Sequence, residues 1–195
     1  ATEFDDADWA RRHWLVPWEN GEWDHRAGGG SGSRNLRQLA VRGKFTVTDP
    51  SAVKNLRLKL RYRGGVIVYL NGAEIARGHL PAGKIADGSP AEDYPVAAFY
   101  KDNGKAWHWW NDKDTIGKQS YPLRVRSLDT VAIPAEQLRK GTNVLAVEIH
   151  AAPYPKKGKK PAMDWATCGL IDLRLEADAT DGPDTAEPAD DVSED

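Results

Sequence analysis

The chain has 195 residues, of which 27 are basic and 29 acidic, with a formal net charge of −2. The charge is unevenly distributed, because residues 178–195 hold eight acidic residues and no basic one. Without these eight, 21 acidic residues face 27 basic ones, so residues 1–177 carry a net charge of about +6. No apolar run reaches the roughly 18 residues that a membrane-spanning helix needs. We expect a single domain at 1–177 and an acidic disordered tail or linker at 178–195, which has almost no large apolar residue.

The first strands are predicted by strict alternation of apolar and polar side chains. One alternating segment runs from residue 39 to 48 and stops at Asp49-Pro50. A second runs without a break from Leu56 to Arg63, with leucines and a tyrosine on one face and basic residues on the other. Each is typical of a strand with one buried and one solvated face.

The next stretch combines two turn signals with a buried strand. Gly64-Gly65 predicts a turn, and the apolar run Val66 to Leu70 is typical of a strand buried on both faces. Asn71-Gly72 then predicts a type I′ turn into a partner strand, Ala73 to Arg77. With the preceding strand, this pattern predicts a β-meander.

The second half begins with a long stretch without periodicity. Residues 82–122 are rich in Gly, Asp, Lys and aromatic residues, and loops of this length in compact domains are usually functional or mobile. Alternation returns at 123–126, 130–133, 143–151 and 171–176. Strands at this spacing predict an all-β, two-sheet antiparallel β-sandwich. Pairing of the first and last strands would make it a jelly roll, with the Trp-rich loop as an insertion.

The sequence contains no recognised catalytic or transition-metal motif. Cys168 is the single cysteine, so an internal disulfide is excluded, and its apolar setting predicts a buried core residue. The five histidines are too scattered for a zinc or copper motif. Among them, His150 is expected at the surface or against the second sheet, opposite the core face of its strand. No nucleophile or phosphate motif appears, and no carboxylate pair stands out for glycoside hydrolysis. The sequence therefore indicates a non-enzymatic domain.

The unusual feature of the composition is eight tryptophans against three phenylalanines. Sugars have apolar C–H faces and polar edges, so their sites combine a flat aromatic ring with amide, carboxylate or imidazole groups. One part of the long loop has both classes. The candidate ligand-binding residues are Tyr100, Trp107, His108, Trp109, Trp110, Asn111 and Asp112. The alternative, left open by the sequence, is that these tryptophans pin the loop onto the sandwich.

Two charged groups of residues have weaker functional interpretations. Asp6, Asp8, Glu19 and Asp24 could ligate calcium, which takes about six to eight oxygen ligands, or they are solvated loop carboxylates. The basic run Lys156 to Lys160 could contact an anionic polysaccharide or nucleic acid, or form a solvated loop. Without interleaved aromatic residues or a nucleic-acid-binding fold, we expect no nucleic-acid partner.

Three segments share a pattern with a known family: KFTVTDPSAVKNLRLKLRYRGGVIVYLNGAEIAR, VAIPAEQLRKGTNVLAVEIHAA and CGLIDLRLEA. The pattern is an x-V-Y-L-N-G-x-E-[IV]-A hairpin followed by I-P-x-x-x-L-x-x-G-x-N-V-L-A-V-E. Over residues 40–177 the chain resembles the galactose-binding-domain-like jelly rolls, including glycoside hydrolase sugar-binding domains and modules of secreted bacterial enzymes. It is particularly similar to secreted proteins with R-G-H-L-P-A-G and a later E-D-Y-P, as at Arg77 to Gly83 and Glu92 to Pro95.

The resemblance implies the fold, carbohydrate binding through loops at one end of the sandwich, and often a structural calcium. The shared residues are core, turn and strand positions, so they specify a scaffold and leave the ligand to the loops. The Trp-rich segment 101–122 departs from the family pattern.

The first functional hypothesis is a non-catalytic carbohydrate-binding or accessory module of a larger secreted or periplasmic protein. Its partners would be a polysaccharide and other domains of the same polypeptide, with no nucleic acid and no membrane insertion. It would require no cofactor apart from a structural calcium. One alternative is a protein–protein interaction or scaffold domain that docks a catalytic partner. Another is a polysaccharide hydrolase or lyase with an unrecognised site.

Overall fold

The computed structural model describes residue 5 and residues 36–107, 118–157, 160–161 and 166–178. The main strands are β1 (Gln38–Val47), β2 (Lys54–Arg63), β3 (Gly65–Leu70), β4 (Ala73–Gly78), β5 (Arg126–Ala132), β6 (Gly141–His150) and β9 (Gly169–Asp178). A short separate hairpin consists of β7 (Lys156–Lys157) and β8 (Lys160–Pro161). Short helical segments are α1 (Tyr121–Arg124) and the 3-10 turns Pro50–Ala52, Val96–Ala98 and Ala135–Gln137. No helix in the described ranges is long and apolar enough to cross a membrane.

The main strands form two antiparallel sheets, which confirms the predicted all-β sandwich. Sheet A has the order β1-β6-β3-β4, and sheet B has the order β5-β2-β9. β1 pairs with β6 over its whole length, from Gln38 opposite His150 to Val47 opposite Gly141. Within the described ranges, β1 pairs with β6 and β9 pairs with β2, so the predicted pairing of the first strand with the last is not found there.

The main core lies between the two sheets. Apolar and polar side chains alternate along the strands, so each strand turns an apolar face toward this core. In β2, Leu58, Leu60 and Tyr62 are at most 1% exposed, and the charged side chains between them are exposed. Full burial of an apolar side chain of this size contributes roughly 1.5–3 kcal/mol before the cost of ordering it. Cys168 lies in the same core with 1% exposure, as predicted.

The predicted β-meander is wrong at its first turn, because β2 and β3 belong to different sheets. Gly64 carries the chain from sheet B to sheet A. It has a φ of +90°, and a Cβ there would lie 2.0 Å from the His150 carbonyl oxygen, so a side chain has no room. The β3–β4 hairpin is confirmed, since Asn71 and Gly72 form its loop with φ values of 52° and 87°.

The segment between β4 and β5, residues 79–125, is called the excursion below, and its described part builds a second core on the outer face of sheet A. Ile67 of β3 is 1% exposed and belongs to this second core, whereas its neighbours Val66 and Val68 belong to the main one. β3 is therefore buried on both faces, as its apolar run predicts. The other buried members are Leu80, Ala91, Tyr94, Ala98, Phe99, Tyr100 and Ala152.

Candidate functional site: a pocket on the excursion

Arg126, the first residue of β5, fastens the excursion to the sandwich. Its guanidinium donates hydrogen bonds to the carbonyl oxygens of Gly64, Glu92 and Asp93 at 2.9, 3.0 and 2.9 Å. The same group lies 4.0 Å from the centroid of the Tyr94 ring, within the range of a cation–π contact. Because Arg126 is only 9% exposed, these contacts replace the water that a charged group would otherwise keep.

Tyr94 joins three segments through its hydroxyl group. The hydroxyl accepts a hydrogen bond from the Gly64 amide at 2.9 Å and donates one to the Arg124 carbonyl oxygen at 3.1 Å. Burial raises the pKa of Tyr94, so the hydroxyl keeps the proton that it donates. The Arg124 guanidinium donates to the carbonyl oxygen of Ala98 at 3.1 Å, and the Ser120 hydroxyl donates to the same oxygen at 2.7 Å. The C-terminal end of the excursion is therefore tied to its middle at Ala98.

A tight hairpin that starts at Tyr100 follows this junction. The Lys101 amide donates to the Lys105 carbonyl oxygen at 2.8 Å, which closes the loop. Trp107 then turns inward, where its indole N–H donates to the Ala97 carbonyl oxygen at 2.9 Å and the residue is only 6% exposed. Trp107 thus anchors the hairpin to the 3-10 turn Val96–Ala98.

The hairpin and Gln119 line an open surface pocket of about 330 Å³. Its lining residues are Ala97, Tyr100, Lys101, Asp102, Asn103, Trp107 and Gln119. The side chains of Asp102 and Gln119 have no hydrogen-bond partner within the described part of the chain. The Asn103 side-chain oxygen accepts from the Lys105 amide at 3.1 Å, which leaves its amide nitrogen available. Aromatic rings beside available polar groups suit a ligand with apolar faces and hydroxyl edges.

Two residues of the predicted ligand site, Tyr100 and Trp107, lie together in this pocket. Both are largely buried, at 7% and 6% exposure, and the Lys101 Nζ atom lies 5.5 Å from the centroid of the Trp107 ring. Trp107 therefore anchors the loop, which is the role that the sequence left open as the alternative to ligand binding. The other predicted residues, His108, Trp109, Trp110, Asn111 and Asp112, lie outside the described residues, and their role stays a prediction.

Asp102 and Asn103 lie inside the predicted aromatic and polar stretch 100–112 but are not among its candidate ligand residues, and Gln119 lies outside that stretch. The D-N-G triplet at 102–104 marks a turn, which indicates exposure but no ligand. Nothing in the sequence places Gln119 beside that turn, because the contact depends on the folding of the excursion onto sheet A.

The predicted calcium ligands, Asp6, Asp8, Glu19 and Asp24, also lie outside the described residues, so calcium stays a prediction. Within the part that the structure describes, no three His, Cys, Asp or Glu side chains are grouped to hold a metal ion.

His79 and Tyr62 form a part-buried contact that the sequence did not indicate. The Tyr62 hydroxyl and the His79 Nδ1 atom are 2.8 Å apart, and the His79 carbonyl oxygen accepts from the Glu92 amide at 3.0 Å. Burial raises the pKa of Tyr62 to about 12, while burial and the charge of Arg126 lower the pKa of His79. A neutral imidazole accepting from the phenol is therefore the favoured arrangement. The R-G-H-L and E-D-Y-P motifs therefore meet where the His79 carbonyl oxygen accepts from the Glu92 amide.

The prediction of a surface or second-sheet position for His150 needs correction, because the residue is fully buried under the excursion. Its Nδ1 atom lies 2.9 Å from the Ser89 carbonyl oxygen, and its Nε2 atom lies 2.7 Å from Glu148 Oε1. Gln38 donates to the same carboxylate oxygen at 2.6 Å. The side chain does lie opposite the main core, as predicted, but the second core covers it.

No protein-family model matches this chain, and no curated protein matches it. Among solved structures it is similar to an FMN-binding beta-glucuronidase from Facaelibacterium prausnitzii L2-6, at 14% identity and a TM-score of 0.35 over 72% of this chain and 15% of that one. It is also similar to a beta-D-mannosidase from Dictyoglomus thermophilum, at 14% identity and a TM-score of 0.36 over 72% and 16% of the two chains. A beta-D-glucuronidase from Dictyoglomus thermophilum matches at 9% identity and a TM-score of 0.32 over 75% and 18%.

The chain thus spans less than a fifth of the length of each of these glycosidases. The fold of this chain is therefore established by its own strand registers, and the candidate site by its own geometry.

Proposed function

We propose that this chain is a non-catalytic carbohydrate-binding module of a larger extracytoplasmic protein, and that it binds a polysaccharide at the pocket on the excursion. The observation that carries the proposal is the pocket itself. It combines the aromatic residues Tyr100 and Trp107 with the polar side chains of Asp102 and Gln119, which have no partner within the described part of the chain. Trp109 or Trp110 would supply the stacking surface, since both follow the pocket directly in sequence.

Binding without turnover is favoured by the chemistry of the lining. Glycoside hydrolysis uses two carboxyl groups about 5–10 Å apart. Among the described residues that line the pocket, Asp102 is the only carboxylate. A secreted or periplasmic location is part of the proposal and is supported by the resemblance to modules of secreted enzymes.

Docking of a partner domain is a second candidate function, favoured by two exposed apolar side chains. Val96 is 55% exposed and Leu123 is 39% exposed, and the 3-10 turn and helix that carry them contact each other. Interaction patches usually extend over several hundred Å², which two side chains do not supply. If docking is the function, replacing Val96 and Leu123 with serine would abolish it. If the first proposal is correct, the same replacement would leave glycan binding intact.

Affinity electrophoresis through gels that contain different polysaccharides tests the proposed function. The double variant Asp102→Ala/Gln119→Ala removes one carboxylate and one amide from the pocket. Its matched control is Glu136→Ala/Gln137→Ala, which removes the same two groups from exposed residues near the start of β6, at the other end of the sandwich. We expect retardation of the wild type and of the control, and roughly five- to 150-fold weaker binding by the pocket variant, since the two lost hydrogen bonds cost about 0.5–1.5 kcal/mol each.

Trp109→Ala tests the predicted stacking surface in the same gels. Stacking of a sugar on a tryptophan would make this variant bind more weakly than the wild type. Failure of the wild type to bind any polysaccharide, or equal binding by the pocket variant and its control, would overturn the proposed function or its site.

A further inference from the structure

One residue of the pocket wall, Asn103, is followed directly by glycine in the tight hairpin. Asn103 is exposed, and its side-chain oxygen accepts a hydrogen bond from the Lys105 amide at 3.1 Å. Its side-chain nitrogen has no partner within the described part of the chain. An asparagine in this setting can be modified by its own backbone, because the main-chain nitrogen of the next residue lies within reach of the side-chain carbonyl carbon.

The hairpin leaves the attacking nitrogen accessible. Gly104 has a φ of 78° and no Cβ that would crowd the approach to its nitrogen. The Gly104 amide donates to the Lys101 carbonyl oxygen at 2.8 Å, and water can replace this bond at a turn that faces solvent. The Lys105 N–H points at the Asn103 oxygen, where negative charge develops during the attack, and a donor placed there stabilises the transition state.

The pair Asn71-Gly72, in the β3–β4 loop, has the same two residues but a fixed side chain. Its asparagine nitrogen donates to the Gln137 carbonyl oxygen at 3.1 Å and to Asn143 Oδ1 at 2.9 Å. The asparagine oxygen accepts from the Val144 amide at 3.0 Å. Ring closure turns the side chain and expels its nitrogen, so these bonds oppose it. The third such pair in the sequence, Asn20-Gly21, lies outside the described residues.

We propose that Asn103 is a deamidation site that alters the candidate pocket as the protein ages. The deprotonated Gly104 nitrogen forms a bond to the side-chain carbon of Asn103. The side-chain nitrogen takes up a proton from water, equivalent to the one that Gly104 lost, and leaves as ammonia. The five-membered imide then adds one water. Ring opening at the side-chain carbon gives aspartate, and ring opening at the main-chain carbon gives isoaspartate. The net reaction consumes one water and releases one ammonia.

Both products change the pocket wall. A carboxylate replaces the available amide nitrogen of Asn103, next to Asp102, the only carboxylate among the described lining residues. The pocket thereby loses a hydrogen-bond donor and gains a like charge beside Asp102. Isoaspartate also lengthens the main chain inside the hairpin that the Lys101–Lys105 bond closes. The modified form should therefore bind glycan more weakly, a consequence that rests on the proposed function.

The test incubates the full chain in a warm, mildly alkaline buffer, where more of the Gly104 nitrogen is deprotonated. Peptide mass spectrometry measures the mass gained when oxygen replaces the amide nitrogen, and an isoaspartate methyltransferase labels the iso product. We expect conversion at least about tenfold faster at Asn103 than at Asn71 in the folded chain. In urea the two rates should become similar, because unfolding releases Asn71 from its partners.

Affinity electrophoresis then compares fresh and incubated wild type with fresh and incubated Asn103→Gln. Glutamine keeps the amide, but its extra methylene would require a strained approach to a six-membered ring. The modified wild-type fraction should bind roughly two- to tenfold more weakly than the fresh chain, while incubation leaves the variant unchanged.

Equal conversion at Asn103 and Asn71 in the folded chain, or none at Asn103, would overturn the deamidation site whatever the chain binds. Undiminished binding by the modified fraction would overturn its effect on the pocket. If the fresh chain binds no polysaccharide, the proposed function fails, and the mass spectrometry still decides the deamidation site.

Discussion

Replacing Arg126 with methionine is the sharpest test of how the excursion is attached. Methionine keeps much of the apolar stem but removes the guanidinium, so the carbonyl oxygens of Gly64, Glu92 and Asp93 lose their donor. A hydrogen bond to a charged group contributes about 1.5–3 kcal/mol. Three such bonds at the lower end, partly replaced by water, give an expected loss of about 3–5 kcal/mol in the free energy of unfolding.

The assay is urea unfolding followed by far-UV circular dichroism, with Lys59→Met as the control. Lys59 is also a long basic side chain, but its ion pair with Glu176 at 2.8 Å is exposed at both ends, and such pairs contribute about 0–1 kcal/mol. A loss for the Arg126 variant no larger than that of the control would refute the claim that Arg126 holds the excursion to the sandwich.

Three further predictions concern Gly64, the contact between Tyr62 and His79, and the buried Cys168. Gly64→Ala should destabilise the fold by several kcal/mol, because its Cβ would clash with backbone, whereas Gly83→Ala, with positive φ but open space, should cost only about 1–2 kcal/mol in thermal melts. His79 should titrate by NMR below the ordinary histidine pKa of 6.5, since burial and the charge of Arg126 lower its pKa. The unfolded state then binds more protons, so His79 contributes stability that is lost as the pH falls below about 6.5. A midpoint above 6.5 would contradict this sign. Burial raises the pKa of Cys168 to about 12, so the native chain should resist DTNB at about pH 8 and react only when unfolded in urea. Rapid labelling of the native chain would contradict its burial.

The strands and the β3–β4 hairpin could be predicted because their signals are local. Alternation from Leu56 to Arg63 identifies β2 and its core face, and Asn71-Gly72 requires the positive φ values that the hairpin loop has. The Gly64-Gly65 pair misled because a glycine that crosses between sheets has the same sequence signal as one in a hairpin turn. Only the close approach to the His150 carbonyl oxygen distinguishes the two.

The second core could not be predicted because its residues have no period. Leu80, Ala91, Tyr94 and Phe99 are spaced irregularly, since loop backbone rather than a strand or helix delivers them to sheet A. The pocket depends on that packing. Consequently the sequence could indicate an aromatic, polar candidate site in the excursion, while the neighbouring Gln119 and the anchoring of Trp107 emerge only from tertiary contacts.

Mapping the glycan-binding surface by NMR tests the central claim most directly. The polysaccharide that binds most tightly in the gels would be added as a short oligosaccharide to the ¹⁵N-labelled chain. The proposed function predicts amide shift changes centred on residues 97–107 and 118–120. Shift changes centred on another surface, or none with any oligosaccharide, would contradict it.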